Sequence, residues 1–317
     1  MQFLRKGQYM KIYKRKPGDL APLAQADPYM LKGNDGRFYL YATKGQVYSS
    51  DALFGEWKYE GIRLNMPGQK VCWAPSVIEI DGTYYMYYSS MDESCEEEHG
   101  QAMRVAVSDS PLGPFEYKKT LLPPFAIDAH VVSVPSGMYM FYCNNDYEAE
   151  RAGTRILCDR MTDPFTMEGT PACVVPPTLD EEIYMRDRFR KGQHWHTVEG
   201  AFYFFHEEIH FLMYSGACYQ NPTYFVGYCT AEGPEDADLC KLQWEKYPDS
   251  HTYAPLLAKN DFIEGTGHNS VIFDRGKCYI VYHGRDHGDI EMEEDTRSAR
   301  IDEMKIDGKR LSVRMTP

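Results

Sequence analysis

His196-Thr197-Val198-Glu199-Gly200-Ala201-Phe202-Tyr203-Phe204-Phe205 reads as a β-strand with a lone carboxylate at its entrance. The pattern recurs four more times, beginning near Asp27 (Asp-Pro-Tyr-Met-Leu), Ala74 (Ala-Pro-Ser-Val-Ile), Asp128 (Asp-Ala-His-Val-Val) and His268 (His-Asn-Ser-Val-Ile). Each copy is followed by a turn and a second aromatic-rich strand, at 38–42, 84–89, 138–143, 210–215 and 278–283. Three of the five entrances carry an acid: Asp27, Asp128 and Glu199.

Two further strands follow in each unit. In the first, 29–31 and 38–41 flank Asn34-Asp35-Gly36, and strands at 46–49 and 57–59 come next. An Asn/Asp-Gly turn between apolar runs is a strong hairpin signal. The second unit repeats this with Asp81-Gly82, the third with Pro135-Ser136-Gly137 and the fifth with Asp274-Arg275-Gly276. The expected outer strands are 115–118, 165–168, 242–247 and 311–314. Four antiparallel strands per unit, five times over, is the signature of an all-β, five-bladed β-propeller. The expected organisation is one catalytic propeller across 1–317, with a basic N-terminal extension at 1–20 that holds one strand-like piece at 10–13. A plain β-sandwich does not explain five copies with matched strand roles.

The bulk composition narrows the class of function. Among 317 residues there are 25 tyrosines, which suit half-buried strands, and the net charge is −13. A nucleic-acid or anionic-membrane partner calls for a basic patch, so neither is expected. Nine cysteines with no C-x-x-C pair read as buried free thiols of a reducing compartment. No signal-peptide core is seen near the start, and no later stretch is long and apolar enough to span a membrane. The expected location is cytoplasmic.

Propeller geometry gives the acids a shared position. The first strand of each blade lines the central axis, so a residue at its entrance points into one end of the channel. The loop after the second strand returns to that end. The segments 90–103, 144–154, 176–196, 215–223 and 284–297 are the long irregular ones, and long loops on one face commonly carry a binding site. Glycoside hydrolysis needs a carboxylic acid to protonate the leaving oxygen and a carboxylate to activate water. A third negative charge nearby would raise the pKa of the acid. Taken singly, Asp27 could start a turn, Asp128 cap a loop and Glu199 end a strand in solvent. Their common repeat position favours the joint reading.

These residues, with Ala26-Asp27-Pro28-Tyr29, Trp73-Ala74-Pro75-Ser76-Val77, Val105-Ala106-Val107-Ser108-Asp109, Ile127-Asp128, Glu199-Gly200, Tyr214-Ser215-Gly216, Gly267-His268-Asn269-Ser270 and Tyr282-His283-Gly284, give a chain that resembles glycoside hydrolase family 43 over about residues 27–311. The resemblance implies inversion, with Asp27 as general base, Glu199 as general acid and Asp128 tuning and orienting the acid. It makes Trp73 a wall of the sugar subsite and His268 the axial histidine, which could contact a calcium ion or its waters in the channel. It calls for a fifth-blade arginine, for which Arg297 is chosen over Arg300. No cofactor is required; the partner is an oligosaccharide. Ala201 and Ala129 stand where the family usually has proline, which bears on the substrate subgroup. The extra C-terminal β-sandwich of many xylosidases is missing, which favours an α-L-arabinofuranosidase over a β-xylosidase, exo-acting on pentose-containing glycans.

Other signals carry less. His206-Glu207-Glu208-Ile209-His210 matches the H-E-x-x-H zinc pattern but falls on a hairpin turn, where the required helix would destroy the repeat. His194-Trp195-His196 precedes Glu199, and Trp195 is a candidate for the subsite wall. The acidic runs 92–98 and 289–295 read as solvated loops. Two competing functions remain: a retaining fructan-type furanosidase, whose usual Asn-Asp-Pro-Asn signature is missing, and a carbohydrate-binding propeller without catalysis.

Overall fold

A computed structural model describes residues 11–14, 24–97, 99–291 and 294–316. Among them the strands form five sheets. The first holds Tyr29–Lys32, Phe38–Ala42, Gln46–Ser50 and Lys58–Ile62. The second holds Gln69–Ile80, Thr83–Asp92, Ala102–Ser108 and Phe115–Leu122, with the short Leu64–Asn65 pairing in parallel at its outer edge. The fourth holds Val198–His206, Ile209–Gly216, Phe225–Glu232 and Glu245–Lys246, and the fifth Ile263–Asp274, Lys277–Asp286, Ser298–Asp307 and Arg310–Val313. All four strands in each of these two sheets run antiparallel in sequence order, as the hairpin signals require.

The third sheet departs from the expected plan. Ile127–Val134, Gly137–Asp146 and Gly153–Asp163 form its inner part. The expected fourth strand shrinks to Thr166–Met167. The rest of the long edge of Gly153–Asp163 is covered piecewise, by Ala172–Val175 against residues 156–158 and by Trp195–His196 in parallel against Gly153. Ile183–Met185 then pairs with Trp195–His196. Part of the segment 176–196, expected to be an irregular connector, therefore extends the sheet.

Packing between sheets explains the aromatic richness. One cluster joins the first and second sheets through Tyr41, Val77 and Tyr88, and another the second and third through Tyr87, Val131 and Tyr142. Tyr139, Phe141 and Tyr203 join the third to the fourth, and Phe202, Phe211 and Ile280 the fourth to the fifth. Leu40, Tyr48, Val281 and Ile301 then join the fifth back to the first. The ring of sheets is closed by packing, as in a β-propeller. Side chains alternate across a strand. Phe202 and Phe204 accordingly face the fifth sheet, while Ala201 and Tyr203 face the third.

Of the expected strand at 10–13, residue 10 lies outside the described residues, as do the basic residues 1–9. Lys11 bridges Arg300, and Ile12 donates its amide to the Ala299 carbonyl, so this piece adds to the fifth sheet.

Candidate active site

The inner strands share one irregularity. Pairing slips between Trp73 and Ser76, between Ile127 and His130, between Glu199 and Phe202, and between Gly267 and Ser270. Each slip is a β-bulge, a device that re-aims side chains beside functional sites. The residue that follows the last pair before the slip is left-handed in every case: Ala74 (φ 41°), Asp128 (φ 59°), Gly200 (φ 64°) and His268 (φ 48°), and Asp27 (φ 57°) stands at the same place in the first sheet. For a residue with a Cβ such a conformation costs of the order of 1–3 kcal/mol and persists only where the surroundings impose it.

This register corrects the alignment of the repeat. The residue equivalent to Asp27 and Asp128 in the fourth sheet is Gly200, and Glu199 lies one position before it. Gly200 is required twice over: its φ is positive, and a Cβ there would meet the His268 ring at 3.1 Å.

The bulge amides are locked by side chains from the neighbouring sheet. Ala74 N–H donates to Thr43 Oγ1 (3.0 Å), Gly200 N–H to Asp128 Oδ2 (3.1 Å), His268 N–H to Ser215 Oγ (2.6 Å) and Asp27 N–H to His283 Nδ1 (3.1 Å). At each of these junctions a hydrogen bond, buried at Gly200 and partly buried at the other three, fixes the bulge of one inner strand against the neighbouring sheet.

Asp27 and Glu199 sit in unlike surroundings. Around Asp27, Thr43 Oγ1 donates to Oδ2 at 2.5 Å, and His268 Nδ1, His283 Nδ1 and Arg297 Nη1 lie 3.3, 3.4 and 3.5 Å from Oδ1. Burial alone would raise this carboxyl, but the charges of His268 and Arg297 outweigh it and hold Asp27 far below the usual carboxylate range. Glu199 accepts one hydrogen bond, from Tyr224 OH at 2.7 Å. Burial, and then the charge of Asp128, push Glu199 up to about 8 against the pull of that hydrogen bond. Burial and then the charge of Asp27 push Asp128 up to about 8 as well, opposed by the Gly200 amide. His268 connects the group, with Nδ1 3.9 Å from Asp128 Oδ2.

The structure separates the two candidate arginines. Arg297 reaches Asp27, is held by Asp295 (2.8 Å) and lies 4.7 Å over the Tyr219 ring. Arg300 is fully buried in the fifth sheet, where it donates to Gly284 O and Asp286 Oδ1. Asp295 and Asp92 are thus engaged by arginines, Asp92 by Arg104, although they belong to runs expected to be merely solvated. Trp73 is half-buried and packs against the cluster between the third and fourth sheets.

Trp195 corrects another expectation. Only 3% exposed, it lies under the rings of Tyr147 and Phe189, so it offers no open face to a sugar. Tyr224, Thr43 and Tyr219 are site residues that sequence reading passed over. Their only signal was position: Thr43 directly follows the second strand of its sheet, and Tyr219 and Tyr224 flank a loop at the same end.

The H-E-x-x-H motif lies on the hairpin between Val198–His206 and Ile209–Gly216. His210 is buried and bonded to Tyr203 OH and Pro234 O, while His206 stacks on Phe273. Calcium at the axial histidine would need about six to eight oxygen ligands. The carboxylates nearest His268 are already engaged with Thr43 and the Gly200 amide, and among the described residues no group of three His, Cys, Asp or Glu could hold a metal ion. The nine cysteines are free, six of them buried.

Comparisons with known proteins point to one family. The family described as Glycosyl hydrolases family 43 matches residues 20–309. An extracellular exo-α-(1→5)-L-arabinofuranosidase of Streptomyces avermitilis is 28% identical over 85% of this chain, and α-L-arabinofuranosidase B of Pyricularia oryzae is 24% identical over 85%. The chain spans only 56% of the length of each of these two relatives. A thermostable family-43 glycoside hydrolase superposes with TM-score 0.75 at 30% identity, covering 92% of both chains. The α-L-arabinofuranosidase of Lactobacillus brevis superposes with TM-score 0.73 at 21% identity, covering 94% of this chain and 96% of that one.

Proposed function

The chain belongs to glycosyl hydrolases family 43, and from that premise we propose that it is an inverting, exo-acting hydrolase of arabinose-containing oligosaccharides, built as a single propeller of five blades, one per sheet. One observation carries the reading. Two carboxyl groups of one site have surroundings that push their protonation apart: Asp27 beside Arg297 and His268, Glu199 beside Asp128 and a tyrosine hydroxyl. Paired groups held in opposite states are the mark of an acid and a base.

In this mechanism ionised Asp27 removes a proton from a water on one side of the sugar. The oxygen of that water bonds to the anomeric carbon as the glycosidic bond breaks. Protonated Glu199 gives its proton to the departing oxygen from the other side, so the anomeric configuration inverts. Burial, with the Asp128 carboxyl beside it, keeps Glu199 protonated, and Asp128 keeps Gly200 in place by accepting its amide. Arg297 and Thr43 hold Asp27 ionised and oriented. Inversion requires roughly 6.5–9.5 Å between the two carboxyls, enough for the water.

The arabinofuranosidase reading draws on the named relatives, and the same acids would also serve a β-xylosidase. A panel of nitrophenyl glycosides followed by arabino- and xylo-oligosaccharides tests it. Release of arabinose, with the inverted anomer seen first by proton NMR, is the expected result. Turnover of xylosides alone, or the retained anomer, would overturn the substrate or the stereochemical part.

A further inference from the structure

The register fixes which loops share a face with the acids. Trp73 pairs with Ser89, Ile127 with Cys143, and Val198 with Gly216, so the acid end of each sheet is also where its second strand finishes. Residues 93–97, 99–101, 147–152 and 176–197 therefore rise from the same end as Asp128 and Glu199.

Arg188 ties the last of these segments to the first, and Tyr147 of the second packs on Trp195 and Phe189. The Arg188 guanidinium lies 4.8 Å from the Trp195 ring, 5.2 Å from Phe189 and 5.6 Å from Tyr184, and Nη2 donates to His99 Nε2 at 2.9 Å. Above this base stand Tyr147 and Phe189, 49% and 55% exposed, their ring centroids 6.3 Å apart. Apolar rings in this number are not usually left open to water without a partner. Tyr147 lines both a cavity of about 590 Å³, with Glu97, His99, Asn144 and Asn145, and a cleft of about 800 Å³, with Arg151, Asp180, Gln193 and His194.

Exposed rings flanked by amides, carboxylates and imidazoles match the two surfaces of a sugar. Its C–H face lies against the electron-rich ring face, and its hydroxyls meet the polar rim. Burial, and then nearby Cys218 and Tyr219, push the Tyr184 hydroxyl beneath the platform up to about 12.

We propose that Tyr147 and Phe189 form a platform for sugar units of the substrate remote from the bond that is cleaved, with Arg188 as the positioning residue that holds it. The proposal rests on the glycosidase reading above and adds the residues that select chain length. In it, Trp195 supports the platform from beneath and does not touch the glycan.

The test compares wild type with the Tyr147→Ala/Phe189→Ala variant across arabino-oligosaccharides of two to six units. The expected loss in kcat/KM grows with chain length to about tenfold on the hexasaccharide, as removal of two stacking contacts implies, and falls on KM rather than kcat. Arg188→Ala gives the same length-dependent rise in KM, and Arg188→Lys does not restore it, because lysine lacks the planar stacking face. An equal loss at every length, or none at any length, overturns the platform. Should wild type cleave none of the series, the arabinose-substrate part of that reading fails on its own. Calorimetric binding of the hexasaccharide then decides the platform: weaker binding to the double variant sustains it, and equal binding overturns it.

Discussion

Glu182 and Glu199 are both drawn out of bulk water, and the contrast between them separates structure from chemistry. Glu182 is fully buried, and each of its oxygens is satisfied. Lys246, itself 4% exposed, donates to Oε1, and the amides of Thr178 and Leu179 donate to Oε2 at 2.7 and 3.0 Å. Lys246 is completed by Thr178 Oγ1 and by the Tyr214 ring at 5.0 Å. This pair pins the connector before the fourth sheet to that sheet's outer strand, Glu245–Lys246. Glu199 has one hydroxyl donor and a second carboxyl for company. A buried charge that is fully compensated holds a fold together. One left short of partners has a shifted pKa, which is what proton transfer at neutral pH requires.

The sharpest way to break the contrast is to neutralise each site. Asp27→Asn lowers kcat/KM on an arabino-oligosaccharide by about 10³-fold or more while leaving the unfolding midpoint within a few degrees, since removing a catalytic base acts on the barrier. Lys246→Met does the reverse. It leaves Glu182 buried without its cation and lowers unfolding free energy by about 3–5 kcal/mol in urea titration. A cost below about 1 kcal/mol would mean the clamp is not structural.

The pH dependence sharpens the same contrast. Glu199 and Asp128 have folded-state pKa values raised to about 8 from unfolded values near 4. Their contribution to stability is full below about pH 4 and is lost as pH rises through 8. Asp27 has the opposite sign: its contribution is present above its unfolded value and is lost as pH falls through its lowered folded one. Unfolding free energy of Glu199→Gln therefore gains on that of wild type between about pH 4 and 8 and levels off above. Wild-type kcat/KM falls about tenfold per unit above about pH 8, as Glu199 loses its proton. Tyr224→Phe removes the donor that favours ionised Glu199 and moves this alkaline limb upward by up to about one unit. The smallest effect is expected at His206→Ala, which leaves turnover unaltered because the residue lies on the far hairpin against Phe273.

Much of this was legible in the sequence for physical reasons. The hairpin signals Asn34-Asp35-Gly36 and Asp81-Gly82 sit where the turns are, because left-handed backbone at Gly36 and Gly82 favours glycine. Asp27, Asp128 and His268 were readable because inner-strand entrances repeat. The one-residue offset of Glu199 was not, since a bulge leaves no mark on an apolar run such as Ala201-Phe202-Tyr203. Gly200 was the available clue, a glycine where the other sheets carry a side chain. The third sheet's added strands were hidden because Ile183–Met185 and Trp195–His196 are too short to show a period. Trp195 was misplaced since sequence distance from Glu199 says nothing about which ring lies on top.

The assignment of Glu199 as the proton donor is most directly tested by leaving-group dependence. The rates of wild type and Glu199→Gln are measured on a series of aryl α-L-arabinofuranosides whose phenols span several pKa units. A lost general acid predicts a deficit that is small for nitrophenolate, which leaves unaided, and that grows steadily as the phenol becomes less acidic. A deficit of the same size across the whole series would contradict the account, because the leaving oxygen would then not be taking its proton from Glu199.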